Sequence, residues 1–394
     1  MSDTVVLTGM GIVSPIGCGE TAFWESLVAG RGGAAEVTGF DTAGLSRRVA
    51  CQVRDPIPAN PSMGRASRLA VAAAGDAVRS ARIDLASVAD DRLAVLVGTT
   101  MGETEFIEER LGAAPADWLS DDHALRIAFG APGCIARNVA ASLGARGSAT
   151  DLYGACAAGN MALDAARRKL LANECDVVLA GGADGFSWLA FVGFLRLRVM
   201  ADGVCRPFDE RRDGLLVGEG AVLFVLERES SARARGAPIR ARLLGSGIAC
   251  ENYHPTRPHP EGDGLTRATL TALRDAELSP EDVDYVCAHG TGTPQNDMIE
   301  VTVMQKCFPR GVAFSSVKAL TGHTMGAAAA VEAAACVLML ERQTLIPTWN
   351  LENVLQPCAL DAVCGAPRPG RVRCVVNNSA GFGGYNSSVV LATA

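Results

Sequence analysis

VLTGMGIV at residues 6–13 is echoed by RLLGSGIA at residues 242–249. Each is an apolar run broken by Gly-x-Gly, which reads as a buried strand approached closely by another backbone. Three further pairs follow in the same order. LAVLVGTT (93–100) matches VDYVCAHGTGT (283–293), the strand-turn-helix around Cys156 matches that around His323, and LAGGADGF (179–186) matches VVNNSAGF (375–382). Four ordered echoes predict two related α/β halves, with short Gly-bounded strands alternating with Ala-rich helices such as 66–82. The charged stretch 227–242, containing Gly236 and Pro238, reads as the surface connection between them. The expected domains are 1–238, carrying Cys156, and 239–394, carrying His289 and His323.

The chain's 394 residues exclude a peptide hormone or a disulfide-stapled mini-fold. A net charge of −7 argues against an overall draw to nucleic acid or an anionic membrane. Thirteen Cys without a C-x-x-C pair fit a reduced cytoplasmic chain better than a secreted framework or a zinc site. No secretory signal is read at the N-terminus. The most apolar stretch, 325–340, is too short for a bilayer, carries Glu332 and reads as a buried core helix.

Cys156 follows a small-residue turn and opens a run of helix formers, so the helix's positive end is expected to favour its thiolate. Of five His, His289 and His323 lie in Gly-flanked segments at strand ends, where α/β sites form; His254, His259 and His123 read as surface residues. Lys318 is one of three Lys among 36 basic residues, which points to a compact ammonium in a tight place, and Glu332 is its natural partner. The Gly-rich 377–388 segment reads either as a source of oxyanion-binding amides or as a tight hairpin.

GACAAG (154–159), RPFDERRDGLLVGEGA (206–221), AHGTGTP (288–294), KALTGHTMGAA (318–328), IPTWNLEN (346–353) and NNSAGFGGYN (377–386) closely resemble the elongating β-ketoacyl-acyl carrier protein synthases of type II fatty acid and polyketide synthesis. The resemblance covers essentially the whole chain. It implies the thiolase-like α/β fold, duplicated halves in a five-layered αβαβα core, in a homodimer or a heterodimer with a related ketosynthase-like subunit. Cys156 then corresponds to the acyl-accepting nucleophile, and His289 and His323 to the pair assisting malonyl decarboxylation. Lys318, paired with Glu332, corresponds to the residue orienting the second histidine. The resemblance further implies oxyanion-binding amides at Cys156 and Phe382, with Phe382 as a gate, and pantetheine-binding hydroxyls at Thr291 and Thr293. Ala380 and Gly381 would shape the acyl pocket. Arg65, Arg68 and Arg206 would dock an acidic acyl carrier protein, on whose phosphopantetheine the substrates arrive. No metal or redox cofactor is implied.

Gly154, Ala380, Asn296 and Tyr385 stand where the family commonly has Thr, Phe, Gly and Thr, and the segment 102–132 is short for the family. Ala380 and Tyr385 put chain length in question and incline the reading towards a specialised polyketide or polyene pathway. Two rivals share the fold. A thiolase acting on coenzyme A thioesters would carry a second Cys in the C-terminal Gly-rich motif, and a non-catalytic chain-length subunit would lack Cys156.

Overall fold

The first half contributes strands β1 (Val5–Ser14), β2 (Leu93–Thr99), β3 (Ala149–Tyr153), β4 (Val177–Asp184) and β5 (Gly220–Arg228). The second contributes β6 (Ala241–Cys250), β7 (Tyr285–Cys287), β8 (Ala313–Ser315), β9 (Cys374–Gly381) and β10 (Tyr385–Ala392). They pair in the order β1-β5-β4-β2-β3 and β6-β10-β9-β7-β8. The second order is the first repeated, with the same parallel and antiparallel pairings at each step. All four echoed pairs occupy equivalent places in it. The two sheets meet edge to edge where Val5–Leu7 pairs antiparallel with 241–243. This is a computed structural model, and it describes residues 3–60, 62–105, 108 and 134–394. His123 and most of the segment 102–132 lie outside the described residues.

The Gly-x-Gly echo has one physical cause in both halves. Helix α1 (Arg65–Ala81) lies so close on β1 that a Cβ on Gly11 would fall 1.9 Å from the Ala73 carbonyl oxygen. After helices α2 (Cys134–Leu143), α3 (Ala158–Leu171) and α4 (Trp188–Arg196), helix α5 (Asp263–Asp275) lies on β6 the same way. A Cβ on Gly247 would fall 2.1 Å from the Ala268 carbonyl oxygen. Only glycine under an Ala-rich helix face permits such spacing.

Helices α1 and α2 cover one outer face, while α5 and α6 (Pro294–Cys307) cover the other. Between the sheets lie α3 and α7 (Ala328–Arg342), each touching strands of both halves. Burial of every α7 residue from 328 to 340 matches that central place and the core helix expected there. The layers are thus αβαβα. The stretch 227–242 is more than a connection: it includes strand ends and a short helix, Glu229–Ala234, and is tied down by Arg235–Glu227 and Arg242–Glu229 ion pairs at 2.6 and 2.9 Å. Among the described residues, no helix is long and apolar enough to cross a membrane.

Candidate active site

Cys156 lies in a single 3₁₀ turn, Ala155–Ala157, between β3 and α3. The equivalent turn before α7 is Met325–Ala327. Both turns begin with a non-glycine residue at positive φ, Ala155 at 48° and Met325 at 57°. The duplicated backbone therefore delivers Cys156 and the segment after His323 to one place, where α3 and α7 cross with Gly159 against Ala330.

His289 follows β7 by two residues and opens a loop running to Thr293. Two carboxylates on α6 hold that loop by its amides. Glu300 accepts from the N–H groups of His289 at 2.7 Å and Gly290 at 2.6 Å, and Asp297 accepts from that of Gly292 at 3.2 Å. His323 follows the short helix Lys318–Thr321 and the turn at Gly322. Its backbone is pinned on both sides, its N–H donating to the Leu216 carbonyl at 2.7 Å and its carbonyl accepting from Gly218 at 2.8 Å.

One donor atom each from Cys156, His289 and His323 lies within 4.8 Å of the others, and all three residues are buried. The imidazole centroids are 5.3 Å apart with the rings nearly perpendicular. Lys318 Nζ donates to His289 Nδ1 at 3.1 Å, and the Met325 N–H donates to His323 Nδ1 at 3.2 Å. With each Nδ1 accepting, the network assigns the ring proton to Nε2 in both neutral histidines. Burial, aided by the Lys318 charge, holds both rings well below the usual histidine range, so they are neutral at pH 7.

Three sequence expectations change here. Burial pushes the Cys156 thiol up to about 12 against the pull of Lys318, so the resting group is a thiol and the helix start does not supply a standing thiolate. Lys318 touches His289 through both Nδ1 and the carbonyl oxygen, the latter at 2.6 Å, and not the second histidine. The cause is strand order: β7 and β8 are parallel neighbours, with Cys287 opposite Ser315, so a residue just past β8 faces the loop just past β7. Lys318 also binds Glu332, as expected. Third, Arg65 is not free for docking. Its guanidinium forks onto Glu219 through two 2.7 Å bonds and reaches the Val53 carbonyl at 2.9 Å. Arg68 is half-buried on the same helix, whereas Arg206 stands beside Gly292 at the loop that carries Thr291.

A cavity of about 550 Å³ opens onto the trio and is lined also by Thr291, Thr293, Ala380, Gly381 and Phe382. The two threonine hydroxyls are 2.8 Å apart. Gly381 presses on the Cys156 turn, where a Cβ would lie 3.0 Å from the Cys156 nitrogen. Ala380 lines the cavity, and Tyr385 is exposed.

Phe194 escaped the sequence reading. Its ring stacks on Phe382 at 5.7 Å and lies 6.3 Å from the His323 ring, joining the two. With only 12 Phe in the chain, the grouping of 186, 191 and 194 was a usable signal. His254, expected on the surface, lines the cavity mouth with Thr256 and Arg257, whose amides it accepts at 3.0 and 3.2 Å. His259 is also half-buried, packed on Tyr253.

Comparison with known proteins agrees with this arrangement. The description "Beta-ketoacyl synthase, N-terminal domain" matches residues 2–232, which include Cys156, and "Beta-ketoacyl synthase, C-terminal domain" matches 240–352, which include both histidines. The chain belongs to the β-ketoacyl synthase family. This β-ketoacyl synthase is 34% identical to 3-oxoacyl-[acyl-carrier-protein] synthase 2 of Coxiella burnetii, over 98% of each chain. It is also 34% identical to the tetracenomycin polyketide synthase ketoacyl synthase alpha subunit of Streptomyces glaucescens, over 98% of this chain and 96% of that one. Among solved structures, the ishigamide ketosynthase/chain length factor superposes with a TM-score of 0.95 at 37% identity, covering all of both chains.

Proposed function

We propose that this β-ketoacyl synthase condenses a Cys156-bound acyl chain with malonyl-acyl carrier protein. The observation that carries the reading is the pair of neutral Nε2–H donors of His289 and His323 beside the Cys156 sulfur in one cavity. In the first half-reaction, the sulfur attacks an acyl-phosphopantetheine thioester, giving up its proton to the departing thiol. Malonyl-carrier protein then loses CO₂, and its enolate oxygen is held by the two N–H donors, which stabilise developing charge without presenting a cation to the carboxylate. The enolate carbon attacks the acyl-Cys carbonyl, whose oxyanion sits at the amides of Cys156 and Phe382. Collapse yields 3-oxoacyl-carrier protein and a Cys156 thiolate that takes a proton.

Around that core, Thr291 and Thr293 hold the pantetheine arm, and Gly381 lets the gate loop approach the nucleophile. Arg206, with Arg198 and Arg257 at the cavity wall, receives an acidic carrier protein. The chain is divided at 238/239, a division supported by the repeated strand order. A related ketosynthase-like subunit, or a second copy, adds along edge strand β3, whose last residue, Tyr153, is exposed at 52%. The thirteen free thiols support a reducing, cytoplasmic setting. Ala380, with the 37% likeness to the ishigamide ketosynthase/chain length factor, supports a specialised pathway, although the 34% likeness to 3-oxoacyl-[acyl-carrier-protein] synthase 2 equals that to the tetracenomycin subunit.

Incubation with acyl-carrier protein followed by mass spectrometry tests the reading. Acylation at Cys156, then malonyl-dependent release of 3-oxoacyl product, is expected. An unmodified Cys156 would replace this reading with that of a shaping subunit. Cys156→Ala should fold, keep malonyl decarboxylation and lose condensation.

A further inference from the structure

Asn296 stands on the first turn of α6, half-buried, and lines the cavity. Its side-chain Nδ2 donates to Glu300 Oε2 at 2.8 Å and to Asp297 Oδ1 at 3.2 Å. These are the two fully buried carboxylates that grip the loop from His289 to Thr293. Asp297 also accepts from the Phe208 N–H at 2.8 Å, so it ties the loop to the 206–221 segment. The two oxygens of Glu300 accept three N–H bonds, one at Oε1 and two at Oε2.

Two carboxylates three residues apart on one helix, both out of water, repel each other and resist ionisation. Burial raises both, and with the Asp297 charge added Glu300 is pushed up to about 8. The charges that oppose this are Arg212 towards Asp297 and Lys318 towards Glu300. Only Asn296 donates to both carboxylates through a single group.

We propose that Asn296 is a positioning residue for the condensation: its amide spends one N–H on each of Asp297 and Glu300, and so ties together the two carboxyl groups that clamp the His289–Thr293 loop. The inference rests on the proposed function for its kinetic consequence, but the clamp itself is observable without turnover.

The test compares wild type with Asn296→Ala and Asn296→Asp. Aspartate has the shape of asparagine, so a role in filling space leaves Asn296→Asp close to wild type and Asn296→Ala worse. A role in donating to two carboxyl acceptors gives the opposite order. Malonyl decarboxylation should fall by about tenfold in Asn296→Ala, since hydrogen bonds to charged groups are the strong ones. It should fall further in Asn296→Asp, with a deficit that deepens as pH rises and the third carboxyl ionises. Replacing Glu300 by Gln in the Asp variant should return part of the loss. Acylation of Cys156 by a small thioester should not change. Amide hydrogen exchange across residues 286–296 should quicken in both variants. Unchanged exchange overturns the clamp, and so does Asn296→Asp matching wild type. If wild type itself fails to decarboxylate malonyl-carrier protein, the proposed function falls while the exchange result still decides the clamp. If the Asp variant does not fold, Asn296→Ala decides by losing or keeping loop protection.

Discussion

Lys318 holds His289 at two points, its Nζ lying 3.1 Å from Nδ1 and 2.6 Å from the backbone carbonyl of the same residue. One ammonium thus fixes both the tautomer and the place of the ring, with its remaining N–H on Glu332. Lys318→Ala should therefore behave like loss of His289, with malonyl decarboxylation down by about 10²–10³ and Cys156 acylation largely kept. Lys318→Arg keeps the charge but puts a wide fork where the site holds a point donor, so it should recover little. Decarboxylation at wild-type rate in Lys318→Ala would show that His289 is held by other means.

The pH dependence follows from the same trio. Burial pushes Glu332 up to about 7 against the pull of Lys318, while both imidazoles stay neutral well below 6.5. As pH falls through about 7, Glu332 takes a proton and leaves Lys318 without its counter-ion before either histidine is charged. Decarboxylation should fall as pH drops through about 7, below the fall set by Glu300, which burial and the Asp297 charge push up to about 8. Glu332→Gln should flatten the fall and lower the plateau. A fall at the same pH in the Gln variant would assign the titration elsewhere.

Arg65 and Arg206 should part company on charge reversal. Arg65 is bound to Glu219, which is fully buried, so Arg65→Glu leaves two carboxylates facing each other and should cost about 3 kcal/mol or more of stability, read as a lower Tm. Arg206→Glu should leave Tm in place and raise KM for carrier-bound acyl donors, with a weaker salt dependence and no effect on a small pantetheine donor. Equal KM effects from both variants at equal Tm would restore Arg65 to the docking surface.

What the sequence made legible has local causes. Gly9, Gly11, Gly245 and Gly247 announce the duplicated strands because a helix backbone at that distance admits no Cβ. Cys156, His289 and His323 stood out through turn context and the scarcity of histidine. What was hidden depends on distant neighbours. The target of Lys318 is set by the β7–β8 register, and Arg65's partner lies 154 residues away. The thiol's protonation state is set by how deeply the turn is buried, and His254 joins the mouth because its loop meets the gate, Gly383 N–H donating to the Pro255 carbonyl at 2.7 Å.

Ala380 tests whether the acyl side of the cavity sets chain preference. It lies on the cavity wall two residues before Phe382, whose ring is braced by Phe194. A phenylalanine at 380 would enter the cavity that Ala380 lines. Ala380→Phe should thus shift preference towards shorter or more flexible saturated acyl chains and away from rigid unsaturated ones, with malonyl decarboxylation intact. Overpacking at a wall that gives only partly costs about 1–3 kcal/mol, so Tm must be measured alongside. Phe194→Ala should loosen the gate and partly relieve the block in the double variant, because the Phe382 ring loses the stack that holds it. An unchanged preference across saturated and polyene panels, in a variant of normal Tm, would show that the acyl chain does not pass Ala380.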